Sequence, residues 1–133
     1  MSDPFITLAR ARLAATGSSL DLDLPNLVPT CNVDAEFDRV VRDYYTFFNE
    51  AFSREIAFLV QLRPSQQLDA LRRLIYNLRT ATSHTDNPRA EQAAARWRNQ
   101  YNSPQDAANA LAAELTQGIE LLGRIAVAVR TRE

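Results

Sequence analysis

The sequence contains no lysine: all fifteen of its basic residues are arginine. It also holds a single cysteine, a single histidine and only three glycines among 133 residues. Each scarcity closes a class of fold or site. With Cys31 alone, no intramolecular disulfide can form and no cysteine-built zinc site can be assembled, which fits a reducing cytoplasm. Three glycines are too few for the tight turns of an all-β domain. No stretch approaches the ~18 uncharged apolar residues of a membrane span, and the N-terminus has neither the basic nor the apolar region of a signal peptide. A Gly-rich phosphate loop, a Ser-His-Asp pattern, a Glu-x-x-His di-iron motif and zinc-ligand spacing are all missing, so neither a cofactor nor a metal is expected. Arginine in place of lysine, beside abundant alanine, is a bias of GC-rich coding and hints at a GC-rich bacterium.

What is present describes a folded helical chain. Apolar residues make up 46% and charged residues 23%, and the length suits one domain spanning residues 1–133. The net charge of −1 is unevenly distributed: residues 1–62 carry five Arg and nine acidic residues, residues 63–98 seven Arg and three, and residues 99–133 three Arg and four. The middle is therefore positive and could attract phosphates, although arginines on a helix are more often a solvated face.

The periodicity predicts an all-α, up-down antiparallel bundle of four to five helices. Asp3-Pro4 starts a short helix that Gly17 ends, and residues 17–33 form an ordered connector whose Leu20, Leu22, Leu24 and Leu27 lie against the bundle. From Asp34, apolar residues recur at three- and four-residue steps through Phe37, Val40, Val41, Tyr44, Phe47, Phe48, Phe52, Ile56 and Leu59, which predicts one uninterrupted helix to Leu62. Arg63-Pro64 stops it. A leucine-rich helix follows from Ser65 through Leu68, Leu71, Ile75 and Leu78 to about Thr82. Asn87-Pro88 caps the next, with Ala90, Ala94, Trp97 and Tyr101 on one side, the two aromatics as core. Ser103 and Asp106 approximate a capping box for the last helix, which buries Leu111, Leu115, Ile119, Leu122 and Val129. That helix runs to within two residues of the end, which is compatible with an N-terminal domain of a longer parent protein.

One constellation carries chemistry. Arg79 stands near the end of the leucine-rich helix and His84 at its terminus. On a continuous helix this offset separates them by about 140°, which a turn at Ser83 or His84 would relax. An imidazole near pKa ~6.5 can take or give a proton at a ribose hydroxyl or leaving oxygen, and a guanidinium can pair two phosphate oxygens. The alternative is that His84 caps a helix C-terminus, where positive charge is favourable. On the same helix, Arg72 and Arg73 could extend a phosphate-binding surface for RNA, though paired helix arginines usually only solvate, and Tyr76 and Asn77 could line the same cleft. Glu50 and Glu55 are candidates to orient Arg79 across the bundle.

The segment Arg79-Thr-Ala-Thr-Ser-His84, preceded by a long aromatic helix and a leucine-rich one, resembles the R-x(4–6)-H motif of the HEPN superfamily. The likeness covers residues 34–130 as architecture and two residues as motif. Thr80 stands where members commonly carry Asn, Asp or His. The resemblance implies a metal-independent endoribonuclease with Arg79 and His84 as catalytic residues, working as a homodimer that brings two such pairs into one cleft. It further implies a toxin–antitoxin or antiphage defence setting, with a cognate antitoxin or a parent-protein domain as partner. Other members are catalytically silent modules for protein interaction, and that alternative stays open here.

Overall fold

Arg63-Pro64, Asn87-Pro88 and Ser103-Pro104 divide the chain where the proline chemistry says they must. The computed structural model describes residues 25–83 and 86–130. The expected first helix, Leu20, Leu22, Leu24 and His84 lie outside the described residues. Among the described residues, five α-helices and one π-helical segment follow one another: α1 (Asp34–Tyr45), the π segment (Thr46–Ala51), α2 (Ser53–Leu62), α3 (Gln66–Thr82), α4 (Pro88–Arg98) and α5 (Pro104–Arg130). No strand occurs among the described residues, and the all-α bundle is as the periodicity predicts.

The caps are local and legible. Ser65 Oγ accepts from Leu68 N–H (3.2 Å) at the start of α3. Asn87 Oδ1 accepts from Ala90 N–H (3.1 Å) at the start of α4, and Ser103 Oγ from Asp106 N–H (3.1 Å) at the start of α5. Each satisfies an amide that the first helical turn leaves open, a contribution of about 1 kcal/mol.

The uninterrupted helix expected from Asp34 to Leu62 is corrected. Phe52 N–H donates to Phe47 O (3.1 Å), a step of five residues, and Phe52 itself leaves helical geometry at φ −108° and ψ 11°. Residues five apart on an α-helix point about 140° away from one another. The wider π turn carries them to one side. The rings of Phe47 and Phe52 accordingly pack with centroids 4.8 Å apart, and Phe47, Phe48 and Phe52 are all buried. Burial of each is worth roughly 1.5–3 kcal/mol, enough to offset one irregular turn.

The core joins this aromatic wall to Leu68, Leu71, Ile75 and Leu78 of α3 and to Leu111, Leu115, Ile119 and Leu122 of α5. Trp97 and Tyr101 are half-buried against it, with Trp97 stacked on Phe37 (centroids 6.2 Å). At Gly118, α5 packs close against α3: a Cβ there would stand 2.5 Å from Leu71 Cδ2. The start of α1 shares a cleft with the end of α3, and the π segment shares a groove with the first half of α3, so α1 and α3 run in opposite directions.

Residues 25–33 lie across α1 and α5 as an ordered connector. Gln105 holds them: its Oε1 accepts from Cys31 N–H (2.8 Å) and its Nε2 donates to Pro29 O (3.0 Å). Tyr44 OH donates to Asn26 O (2.7 Å) from the other side, and Leu27 packs against the core. Among the described residues, no helix is long and apolar enough to cross a membrane.

Candidate functional site

Spacing along α3 places Arg72, Tyr76 and Arg79 at steps of four and three, one stripe of the helix. Arg72 and Tyr76 line a groove of about 580 Å³ whose other wall is the π segment and α2. Phe48, Ile56 and Leu68 contribute apolar surface, and Tyr45 and Asn49 stand across from Tyr76. Tyr76 is 45% exposed, an aromatic ring presented at the rim. Arg72 is exposed as well. Asn49 bridges the two walls, its Nδ2 donating to Arg72 O (3.3 Å). Its Oδ1 is buried and has no partner. Turning the amide over would set oxygen against carbonyl oxygen, so the carbonyl fixes its orientation.

Arg73 does not itself line the groove but pairs at 2.9 Å with Asp69, which does, an exposed pair of little consequence for stability. Asn77 is half-buried and does not line this groove. The stripe thus gathers two of the four residues singled out for RNA binding at the groove, Arg72 and Tyr76.

Arg79 lies in the last turn of α3, half-buried, with Nη1 donating to Thr82 Oγ1 at 3.5 Å. Thr82 Oγ1 in turn donates to Arg79 O (2.9 Å), and Ser83 Oγ donates to Thr80 O (3.0 Å). The Arg79 carbonyl also accepts from Ser83 N–H (3.1 Å), so both hydroxyls reinforce the last turn of the helix. Ser83 is extended (φ −87°, ψ 150°), so the chain leaves α3 before His84 and the continuous-helix offset of about 140° does not apply. Thr80, the position after the arginine, is buried at 7% exposure, turned into the bundle. Neither glutamate reaches Arg79: Glu50 is exposed on the π segment, and Glu55 is buried at 5% exposure with Oε2 unpartnered.

On the other side of the end of α3, a second cleft of about 570 Å³ is acidic. Asp34, Asp38 and Glu91 line it against one cation, Arg98. Arg98 is held in place by Asp34 (3.2 Å), by Tyr101 O (3.2 Å) and by the Phe37 ring beneath its guanidinium (5.6 Å to centroid). Desolvation raises the Asp38 pKa, neighbouring Asp34 raises it further, and Arg98 works against both. Such a cleft repels phosphate. Among the described residues, no group of three or more His, Cys, Asp or Glu is placed to hold a metal ion.

No protein-family model, curated protein or solved structure gives a significant match to the chain.

Sequence reasoning missed the π turn, the bridging amide of Asn49 and the burial of Glu55. The adjacent pair Phe47-Phe48, followed by Phe52, was the available signal: one aromatic more than a single α-helical stripe requires.

Proposed function

We propose that this chain is a HEPN-like helical domain of a bacterial toxin or antiphage defence system. In this reading it acts in the cytoplasm as a homodimeric, metal-independent endoribonuclease. One observation carries it: Arg72, Tyr76 and Arg79 form a single stripe of α3 that leads to the point where the chain leaves the helix, one residue before His84. The stripe supplies cations and an aromatic face for a single strand, and its end supplies the guanidinium. His84 exchanges protons with the ribose hydroxyl and the leaving oxygen, the two copies of the dimer sharing acid and base duties. Arg79 neutralises charge on the phosphate as it builds up. Arg73 and Asn77 serve as outer contacts to RNA on the same helix. A cognate antitoxin or a parent-protein domain restrains the activity.

The test is cleavage of total RNA and growth arrest on induction, wild type against Arg79→Ala and His84→Ala, with chelator present and folding checked by circular dichroism. Loss of both effects in each variant supports the reading. Equal behaviour of all three chains sinks it and leaves the second reading, a non-catalytic adaptor or oligomerisation domain for protein–protein interaction. That reading draws on the apolar side chains Leu62, Tyr76 and Val127, which stay 44–49% exposed.

A further inference from the structure

The groove beside the π segment concentrates two costs on one wall. The backbone there gives up regular α-helical bonding, and Asn49 Oδ1 is buried without a partner. π turns recur at functional sites, and a buried polar atom without a partner is rare enough in stable folds to call for a cause. The facing wall carries the chemistry: Arg72 and an exposed tyrosine ring over an apolar floor of Phe48, Ile56 and Leu68. At about 580 Å³ the groove falls in the size range of small-ligand sites, ample for one nucleobase.

We infer that this groove is a nucleobase subsite for single-stranded RNA, an inference that rests on the ribonuclease reading. The base lies on the apolar floor and stacks on Tyr76, and the adjoining phosphate pairs with Arg72. The charge pattern selects this occupant: Arg72 lines the groove beside Asp69, whose charge Arg73 answers at 2.9 Å, and Arg79 follows on the same stripe, whereas the other large cleft sets three acids against one cation. Arg72 and Arg79 are seven residues apart, about 10 Å along the axis, or roughly three phosphates of a stacked strand at ~3.4 Å each. A base in the groove therefore sits two to three nucleotides from the bond that Arg79 attends, and it sets which sequence is presented for cutting. A duplex, whose bases are paired and stacked, has no base to offer.

The experiment uses the full chain carrying His84→Ala, so that RNA is held uncut, and follows the anisotropy of a fluorescein-labelled single strand of about twelve nucleotides, a length suited to such grooves. Tyr76→Ala and Arg72→Gln are each expected to weaken binding about tenfold, the usual effect of losing one stacking or phosphate contact. Both residues are exposed, and the carbonyl that holds Asn49 survives either change. Arg96→Gln, which removes the same charge from the exposed surface of α4, is expected to change binding less than about twofold, and duplex RNA is expected to compete poorly. Equal losses from Arg72→Gln and Arg96→Gln, unchanged binding by Tyr76→Ala, or absence of single-strand binding would each overturn the subsite. Cleavage separates the two ideas. If the wild type cuts no RNA while the Arg72 and Tyr76 dependence holds, the ribonuclease reading fails and the subsite stands. If cutting requires His84 but binding ignores Arg72 and Tyr76, the subsite fails alone.

Discussion

Asn49 ties the π segment to α3: its Nδ2 donates to the backbone carbonyl of Arg72 over 3.3 Å, while its own Oδ1 stays buried and unpartnered. The two ends of this amide act in opposite directions on stability. Asn49→Leu removes the bond and the orphan oxygen together, so unfolding free energy should change by no more than about 1 kcal/mol, since Arg72 O keeps its helical partner. Asn49→Asp sets an anionic oxygen against that carbonyl and should cost about 2–4 kcal/mol. Urea titrations of both variants measure the contrast, and a neutral Asn49→Asp would mean that the side chain turns out to solvent.

Glu55 is a carboxylate at 5% exposure with Oε2 unpartnered, on a helix whose neighbours Ile56 and Leu59 are core. Glu55→Leu should therefore stabilise the fold by about 1–2 kcal/mol and raise the melting temperature by several degrees. A lower melting temperature would assign the carboxylate a structural task.

Burial first, then Cys31 and Asp43, push the Tyr44 hydroxyl up to about 12. An acid whose folded pKa exceeds its unfolded value of ~10 binds its proton more tightly in the native state. Stability is then lost as pH rises from about 10 through 12, by roughly 2–3 kcal/mol for this side chain. Tyr44→Phe should cost about 1 kcal/mol at neutral pH, through the lost bond to Asn26 O, and flatten the alkaline decline. Denaturant midpoints between pH 8 and 11.5 for both chains provide the check.

Helix propensity favours alanine over glycine at position 118 by about 1 kcal/mol, but the new Cβ would stand 2.5 Å from Leu71 Cδ2 in a filled core. The two effects nearly cancel in Gly118→Ala. Gly118→Val adds bulk without that propensity gain and should destabilise by about 1–3 kcal/mol. A thermal melt that left Gly118→Val unchanged would show that α3 and α5 can part without penalty.

Under the ribonuclease reading, Arg79→Lys keeps a charge but loses the planar fork that pairs two phosphate oxygens. Cleavage rate should fall by about ten- to a hundredfold, with strand affinity reduced far less. A lysine variant as fast as wild type would make Arg79 a point charge and nothing more.

Where the sequence could be read, the reason is local. Asn87-Pro88 and Ser103-Pro104 cap helices through contacts three residues long, and the stripe of Arg72, Tyr76 and Arg79 follows from helical spacing alone. The π turn could not be read this way, because apolar residues keep recurring at three and four steps on both sides of it. Only the pairing of Phe47 with Phe52 in space distinguishes the two geometries. Glu55 escaped for a related reason: a charge between apolar residues reads as solvated, and its burial is set by the packing around α2 rather than by its neighbours in sequence. The groove needed tertiary structure altogether, since Asn49 and Arg72 meet across two helices.

Gln105 has a consequence for how the fold opens. Its one amide imitates a peptide group, giving and receiving a bond as a neighbouring strand would, and so fastens residues 29 and 31 to the head of the last helix. The link closes a ring of more than seventy residues without a covalent bond. Tension applied at the N-terminal side of the connector meets the bond from Tyr44 to Asn26 on α1 first and is then delivered, through Gln105, to the start of α5. Two segments far apart in sequence, the connector and the start of α5, are thus joined through one side chain, and releasing Tyr44 and then Gln105 is the natural order of pulling them apart.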